Sequence, residues 1–394
     1  MVSGTAERAP SRRLRLGMIG GGRDAFIGAV HRLAARMDDR WDFVAGALSS
    51  DPQKALASAA DLRLDPSRSY PSWQAMLEGE KKLRDGGGPA IDAVAIVTPN
   101  HVHHGPAKAF LEAGFHVVCD KPMTTTVADA EDLVAAVKKS GQVFALTHNY
   151  TGYPMIRQAR AMVAEGALGR IRLVEAEYAQ DWLATKAEDT GSKQAEWRVD
   201  PARSGPAGCV GDIGTHAYNL ASFVTGEAAQ SLAADLQSFV PGRRLDDNAH
   251  ILLRYASGAR GMIWASQVAS GNENGLRLRV YGEKAGLEWA QENPNYLTFM
   301  PLGEPHRRLT RGGPGSGPAA AHATRVPPGH PEGYLECFAQ IYSDAAEQIL
   351  ARLEKRDPQP DSLLVPTVAD GLAGVRFIAA CVASSQQDAA WTKI

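Results

Sequence analysis

The chain has 394 residues, 44% hydrophobic and 22% charged, with a formal net charge of −2. That length exceeds one ordinary core and fits two domains, and the near-neutral charge gives no electrostatic reason to bind nucleic acid or an anionic membrane. Four scattered cysteines (Cys119, Cys209, Cys337, Cys381) without a C-x-x-C pair argue against a disulfide framework or a thiolate metal site. No run approaches the ~18 apolar residues of a spanning helix, so the expectation is a soluble, cytoplasmic protein.

Arg12-Arg13 is followed by only a short apolar stretch before glycines begin, too short for an export signal. Residues 1–13 are therefore read as a disordered tail. From Leu14 strands and helices alternate as in a doubly wound parallel sheet. Strands are expected at Leu14 to Ile19, Phe43 to Leu48, Ala93 to Val97, His116 to Cys119 and Gln142 to Leu146. A helix should start near Ile27, and Asp51-Pro52 should open another, with proline at its first turn. After about residue 150 the pattern changes. A helix from Met155 to Glu165 leads to Ile171–Tyr178, whose alternation suits a sheet with one solvated face. His250 to Tyr255 and Gly261 to Ala265 flank the turn Ala256-Ser257-Gly258, and Leu276 to Tyr281 and Gly286 to Trp289 add strands. Gly312 to Pro318 reads as a flexible loop, and Glu332 to Leu353 and Asp370 to Ser384 as helices. The fold class is α/β: a Rossmann domain over 14–148, then an α+β domain over 149–394 built on a large, mostly antiparallel sheet.

Gly20-Gly21-Gly22-Arg23-Asp24-Ala25 fits G-x-G-x-x-A directly after a strand. Such a turn lets backbone N–H groups and a helix N-terminus meet a pyrophosphate. A second registration takes Gly28 as the third glycine, with a longer loop before it, and is preferred because Gly28 then opens the helix. At the end of the second strand, where an acid would hold a ribose diol, stand Ser49-Ser50-Asp51. Asp51 favours NAD, while the serines would tolerate a 2′-phosphate, so NADP stays open.

Lys121, in Cys119-Asp120-Lys121-Pro122, falls at the C-terminal end of a parallel strand, the edge where such sheets bind ligands. Its ammonium can hydrogen-bond a substrate hydroxyl and lower its pKa as hydride leaves. Asp212 and His216, four residues apart in Gly211-Asp212-Ile213-Gly214-Thr215-His216, would share one face of a helix. The imidazole can take the hydroxyl proton and the carboxylate can orient it. The plain alternatives are a surface lysine, a capping aspartate and a core histidine. His101-Val102-His103-His104 is not a metal set, since neighbouring side chains diverge and no carboxylate or thiolate stands at ligand spacing. His330, in His330-Pro331-Glu332-Gly333-Tyr334, is a candidate for a substrate-facing loop; a simple turn is its alternative.

Together the glycine turn, Thr98-Pro99-Asn100 with His103, Asp120-Lys121-Pro122, Trp197-Arg198 and the Gly211–His216 run resemble the Gfo/Idh/MocA oxidoreductases, over nearly the whole chain. The resemblance implies a nicotinamide cofactor, NAD or NADP, held by Gly20, Gly22, Arg23, Asp24, Ile27, Ser49, Ser50, Asp51, Thr98, Pro99, Asn100, His103, Asp120 and Lys121. It implies Lys121, Asp212 and His216 as the catalytic group. Arg198, Tyr150, Trp182 and His330 would complete the substrate pocket. It also implies a homo-oligomer, dimer or tetramer, formed through the second sheet, and a carbohydrate or polyol substrate. Three departures stand out: Asp120 replaces the usual glutamate, Ser49 the usual ribose-binding acid, and Asn219 a common aspartate.

The leading expectation is oxidation of a secondary hydroxyl of a sugar, inositol or derivative. A second reading is an NAD-dependent glycosidase, which oxidises C3 transiently, eliminates the aglycone and returns the hydride. Its substrate could be acidic, such as a sulfoquinovoside, with Lys186, Lys193 or Arg198 as anion partners. A non-catalytic sensor ranks last, because it predicts loss of the lysine or histidine.

Overall fold

The computed structural model describes residues 12–394, so most of the expected tail lies outside the described residues. Arg12 and Arg13, also placed in that tail, are tied down: Arg12 pairs with Asp92 at 2.6 Å and Arg13 with Asp39 at 2.9 Å.

The first sheet contains β1 (Leu14–Gly20), β2 (Trp41–Ala47), β3 (Ala93–Val97), β4 (His116–Cys119) and β5 (Phe144–Leu146). All neighbours pair in parallel, in the order β2-β1-β3-β4-β5. Every residue of β3 and β4 is buried, as a sheet covered on both faces requires. The chain runs from β1 outward to β2, then crosses back to place β3 on the other side of β1. That reversal opens a crevice beyond the carboxyl ends of β1 and β3, where Gly20 and Thr98 stand.

The second sheet has nine strands: β6 (Ile171–Ala179), β7 (Ala229–Gln237), β8 (Asn248–Tyr255), β9 (Arg260–Ser266), β10 (Gly275–Gly282), β11 (Ala285–Ala290), β12 (Tyr296–Pro301), β13 (Arg307–Thr310) and β14 (Thr392–Lys393). Their order is β13-β12-β11-β10-β6-β9-β8-β7-β14, antiparallel except for the central β6–β9 pair. The expected β8–β9 hairpin is present, with Gly258 at φ +89°. β8 alternates buried and exposed positions along most of its length, so one sheet face packs and the other is open. β7, with the sequence AQSLAADLQ, has little strand propensity. Pairing along β8 makes it a strand, an instance of tertiary contact overriding local preference.

Both C-terminal helices return to the first sheet. Phe338, Ile341, Tyr342, Ala345 and Ile349 of the helix Tyr334–Leu353 share one core with Leu14, Leu16 and Met18 of β1. The helix Val368–Ser385 sends Val375 into the other side of that sheet's core and Phe377, Ile378 and Cys381 into the core of the second sheet. The segment Pro360–Ser385 reaches a mean hydropathy of 1.5, against the expectation that no run approaches a spanning length. Here the apolarity serves two protein cores at once.

The stretch Gly312–Pro318, expected to be a flexible loop, is a loop with Pro314, Gly315 and Pro318 exposed, and it is anchored near its end. Gly317 N donates to Gln158 Oε1 at 2.7 Å. Just before it, buried Arg311 donates to the carbonyls of Val326, Pro327 and His330 and pairs with Glu332 at 2.8 Å. One buried cation thus gathers the long connection to the last helices, a contact with no signature in local composition.

Candidate active site

A cavity of about 1360 Å³ runs from the Gly20–Gly21 turn to the end of β6. At the nucleotide end the backbone is built for close approach. Gly20 and Gly21 have φ of +78° and +71°, and a Cβ on Gly20 would stand 2.7 Å from Val97 O. A Cβ on Gly28 would stand 2.2 Å from Gly21 O, so the turn packs directly on the helix Phe26–Met37. Gly28 therefore occupies the third-glycine position of the preferred registration. That helix has no side-chain cap and no acid in its first turn, which leaves its N-terminal N–H groups available to an anion. Arg23 and Lys54 line the same end. Uncapped donors, a glycine cradle and cations together fit a dinucleotide pyrophosphate.

The catalytic candidates meet at the junction of the two sheets. Lys121 follows β4, its peptide bond to Pro122 is cis, and Asp120 Oδ1 accepts from Lys121 N at 3.1 Å and Thr147 Oγ1 at 2.6 Å. Lys121 Nζ donates to Asp212 O at 2.5 Å and Asp212 Oδ1 at 3.0 Å. Arg198 Nε and Gln267 Nε2 hold the other carboxylate oxygen at 3.0 and 2.9 Å. Burial alone would raise the Asp212 pKa; Arg198 and Lys121 outweigh it and hold the carboxyl well below the usual range. Asp212 lies in a π-helical turn, Val210–Gly214, that runs into the helix Thr215–Thr225 carrying His216. Burial, then the Lys121 cation, lowers His216 well below the ordinary histidine value, against the pull of Asp212. It is a neutral imidazole at the cavity wall, able to accept a proton. Its ring lies 4.8 Å from Tyr150 and 5.3 Å from His148.

Of the other expected residues, Gly20, Arg23, Asp24, Ile27, Ser49, Ser50, Thr98, Pro99, Asn100, Asp120, Tyr150, Trp182 and Arg198 line the cavity. Four do not. Gly22 turns to β2, its N–H donating to Leu48 O at 3.1 Å. Asp51 stands outside the cavity wall and caps the helix Pro52–Asp61, its Oδ1 accepting from Lys54 N at 3.0 Å. His103 is fully buried behind the wall, its ring nitrogens 2.9 Å from the carbonyls of Pro122 and Thr98. His330 is exposed on the Arg311-held loop, away from the cavity, because its backbone rather than its ring is what the loop uses. Lys193 reaches Asp24 at 3.2 Å across the cleft, whereas Lys186 faces neighbouring surface depressions.

Residues that sequence reasoning missed join Tyr150 to form the floor. Tyr150 OH meets Tyr178 OH at 2.5 Å, and Tyr178 OH donates to Asn274 Oδ1 at 2.7 Å. Gln180 and Gln291 complete the network through Asn274, at 2.9 and 2.8 Å. Tyr178 and Gln180 come from the end of β6, Asn274 from the loop before β10 and Gln291 from the loop after β11, so no motif spacing joins them. Arg198 stacks over Trp197 at 4.3 Å, with Trp182 at 5.7 Å.

Residues 14–148 match the oxidoreductase family with an NAD-binding Rossmann fold, and 156–288 match the GFO/IDH/MocA C-terminal domain. The uncharacterized oxidoreductase YfiI of Bacillus subtilis is 37% identical over 390 residues, 98% of each chain. The crystal structure of an oxidoreductase from Sinorhizobium meliloti is 55% identical, with a TM-score of 0.87 over 97% of this chain and 100% of that one. An inositol dehydrogenase homolog from Azotobacter vinelandii, solved with NADH and myo-inositol, is 37% identical, with a TM-score of 0.89 over 98% of both. This chain therefore belongs to the GFO/IDH/MocA oxidoreductase family, with an NAD-binding Rossmann domain at its N-terminal end.

Proposed function

We propose that the protein is an NAD-dependent dehydrogenase that oxidises a secondary hydroxyl of a cyclic polyol or sugar. The observation that carries this reading is the Lys121–Asp212–His216 constellation at the end of β4, beside the strand-order reversal. Bound NAD supplies the hydride acceptor, C4 of its nicotinamide. Lys121, with its charge balanced by Asp212, hydrogen-bonds the substrate oxygen and stabilises the alkoxide character that grows as the C–H bond breaks. Neutral His216 takes the hydroxyl proton, so the products are a ketone, NADH and a proton passed to solvent. The floor of tyrosine hydroxyls and neutral amides offers donors and acceptors suited to several uncharged hydroxyls. The NADH- and myo-inositol-bound relative supports the same substrate class.

An assay with NAD⁺, following both reduced nicotinamide and released sugar across inositols, aldoses and glycosides, tests the reading. Accumulating NADH with a polyol or sugar is the expected result. Sugar release that requires NAD⁺ yet leaves it oxidised would replace it with the glycosidase.

The open face of the second sheet supports self-association. Leu252 and Met262 are direct cross-strand partners there, 55% and 39% exposed. Light scattering should give a dimer or tetramer, and a monomer at micromolar concentration would remove this part of the reading.

A further inference from the structure

Asp212 is placed by its turn, and the turn begins against a residue from another segment. At the start of a helix the first N–H groups have no helical acceptor. Here three consecutive N–H groups are met by Asp246. Its Oδ1 accepts from Gly208 N at 2.7 Å, its Oδ2 from Val210 N at 2.8 Å, and its carbonyl oxygen from Cys209 N at 2.8 Å. The contact is close enough that a Cβ on Gly208 would stand 2.3 Å from Asp246 O. Asp212 N then donates to Gly208 O at 2.9 Å, one hydrogen bond from the clamp. Asp246 itself is not part of the cavity wall.

We propose that Asp246 is a positioning residue: its carboxylate brackets the start of the 208–212 turn and so sets the Asp212 carbonyl and carboxylate that hold Lys121. The inference rests on the dehydrogenase reading for its kinetic consequence, but the clamp itself does not. Asp247 beside it, Cys209 on the turn and Cys381 on the helix Val368–Ser385 face Asp246. The two cations of this segment are committed elsewhere, Arg243 to Asp247 and Glu188 and Arg244 to Asp200. Burial pushes the Asp246 carboxyl up to about 6, and Asp247 adds to the rise, against the N–H bonds from Val210 and Gly208. Protonation turns one acceptor oxygen into a donor facing an N–H group. The clamp is therefore complete above that pH and loosens below it.

The test compares kcat and KM of wild type, Asp246→Asn and Asp246→Glu over about pH 5 to 8.5, with whichever polyol or sugar the assay above identifies. Wild-type kcat should fall about tenfold on the acid side, with its inflection near the Asp246 value. Asp246→Asn, which mimics the protonated carboxyl, should be about tenfold slow throughout and lack that inflection, with KM for NAD within about twofold. Asp246→Glu should recover part of the rate and retain an inflection. An inflection that persists in Asp246→Asn, or a kcat within about twofold of wild type at high pH, would overturn the proposal.

Hydrogen exchange of the 208–212 segment reads the clamp without any substrate. It should be about tenfold faster in Asp246→Asn at pH 8. Should that variant not fold, protection of the same segment in wild type, corrected for intrinsic rates, should drop below about pH 6. Unchanged protection overturns the clamp whatever the enzyme acts on, whereas absent dehydrogenase activity with normal protection indicts only the functional reading.

Discussion

Lys121 Nζ is held by two oxygens of one residue, and that residue's remaining oxygen is held by Arg198 and Gln267. Removing the lysine deletes the only cation bonded to Asp212 Oδ1 among the described residues, without touching the nucleotide turn. Lys121→Ala should therefore lower kcat by ~10²–10⁴-fold while the Kd for NAD, from protein-fluorescence quenching, stays within about threefold. Near-wild-type turnover would remove Lys121 from the mechanism. Lys121, Asp212 and His216 were legible because each carries reactive chemistry at a recognisable place in a motif. Asn274, Gln180 and Gln291 were not, because an amide side chain gains a role only from the atom opposite it.

At the scale of elements, the nucleotide turn and the helix after it are one packed unit, with Gly28 lying against Gly21. Gly28→Ala puts a methyl group into backbone rather than into a soft side chain. It should cost about 1–3 kcal/mol of stability and weaken NAD binding, as read by denaturant melts and titration. Wild-type affinity in that variant would show that the turn can move aside. The strand–glycine–helix pattern was readable because its elements are adjacent in sequence and each has its own period. The π-helical turn at Val210–Gly214 was not. Spacing suggested one regular helix face for Asp212 and His216, whereas the clamp at Asp246, more than thirty residues on, opens the turn in which Asp212 sits. Asp51 shows the same limit from the other side: its place at a strand end suggested a ribose contact, and the helix geometry shows it capping Pro52–Asp61.

The whole molecule buries an unusual set of histidines. His31 and His116 are lowered to about 4 and His148 to about 3, chiefly by burial, and burial lowers His103 and His216 as well. The unfolded chain takes up these protons near pH 6.5 while the folded chain resists until near pH 4, so stability must fall as pH drops through that window. Asp246, with its raised value, opposes the trend by one proton. The net loss should be several kcal/mol between about pH 6.5 and 4.5, seen by calorimetry as a falling Tm. A flat or rising Tm would mean that these rings are more hydrated than their burial implies.

The sequence by itself determined the first sheet, the central strands of the second, the nucleotide turn and the three side chains proposed as the catalytic group, because hydrophobic period, glycine placement and reactive side chains are local properties. Only the tertiary structure decided that the last two helices complete the first sheet's core, that Arg311 orders the long loop, and that the pocket floor is a network of tyrosines and amides. Those features depend on burial and on hydrogen-bond partners far apart in the chain, and neither is written in any window of residues.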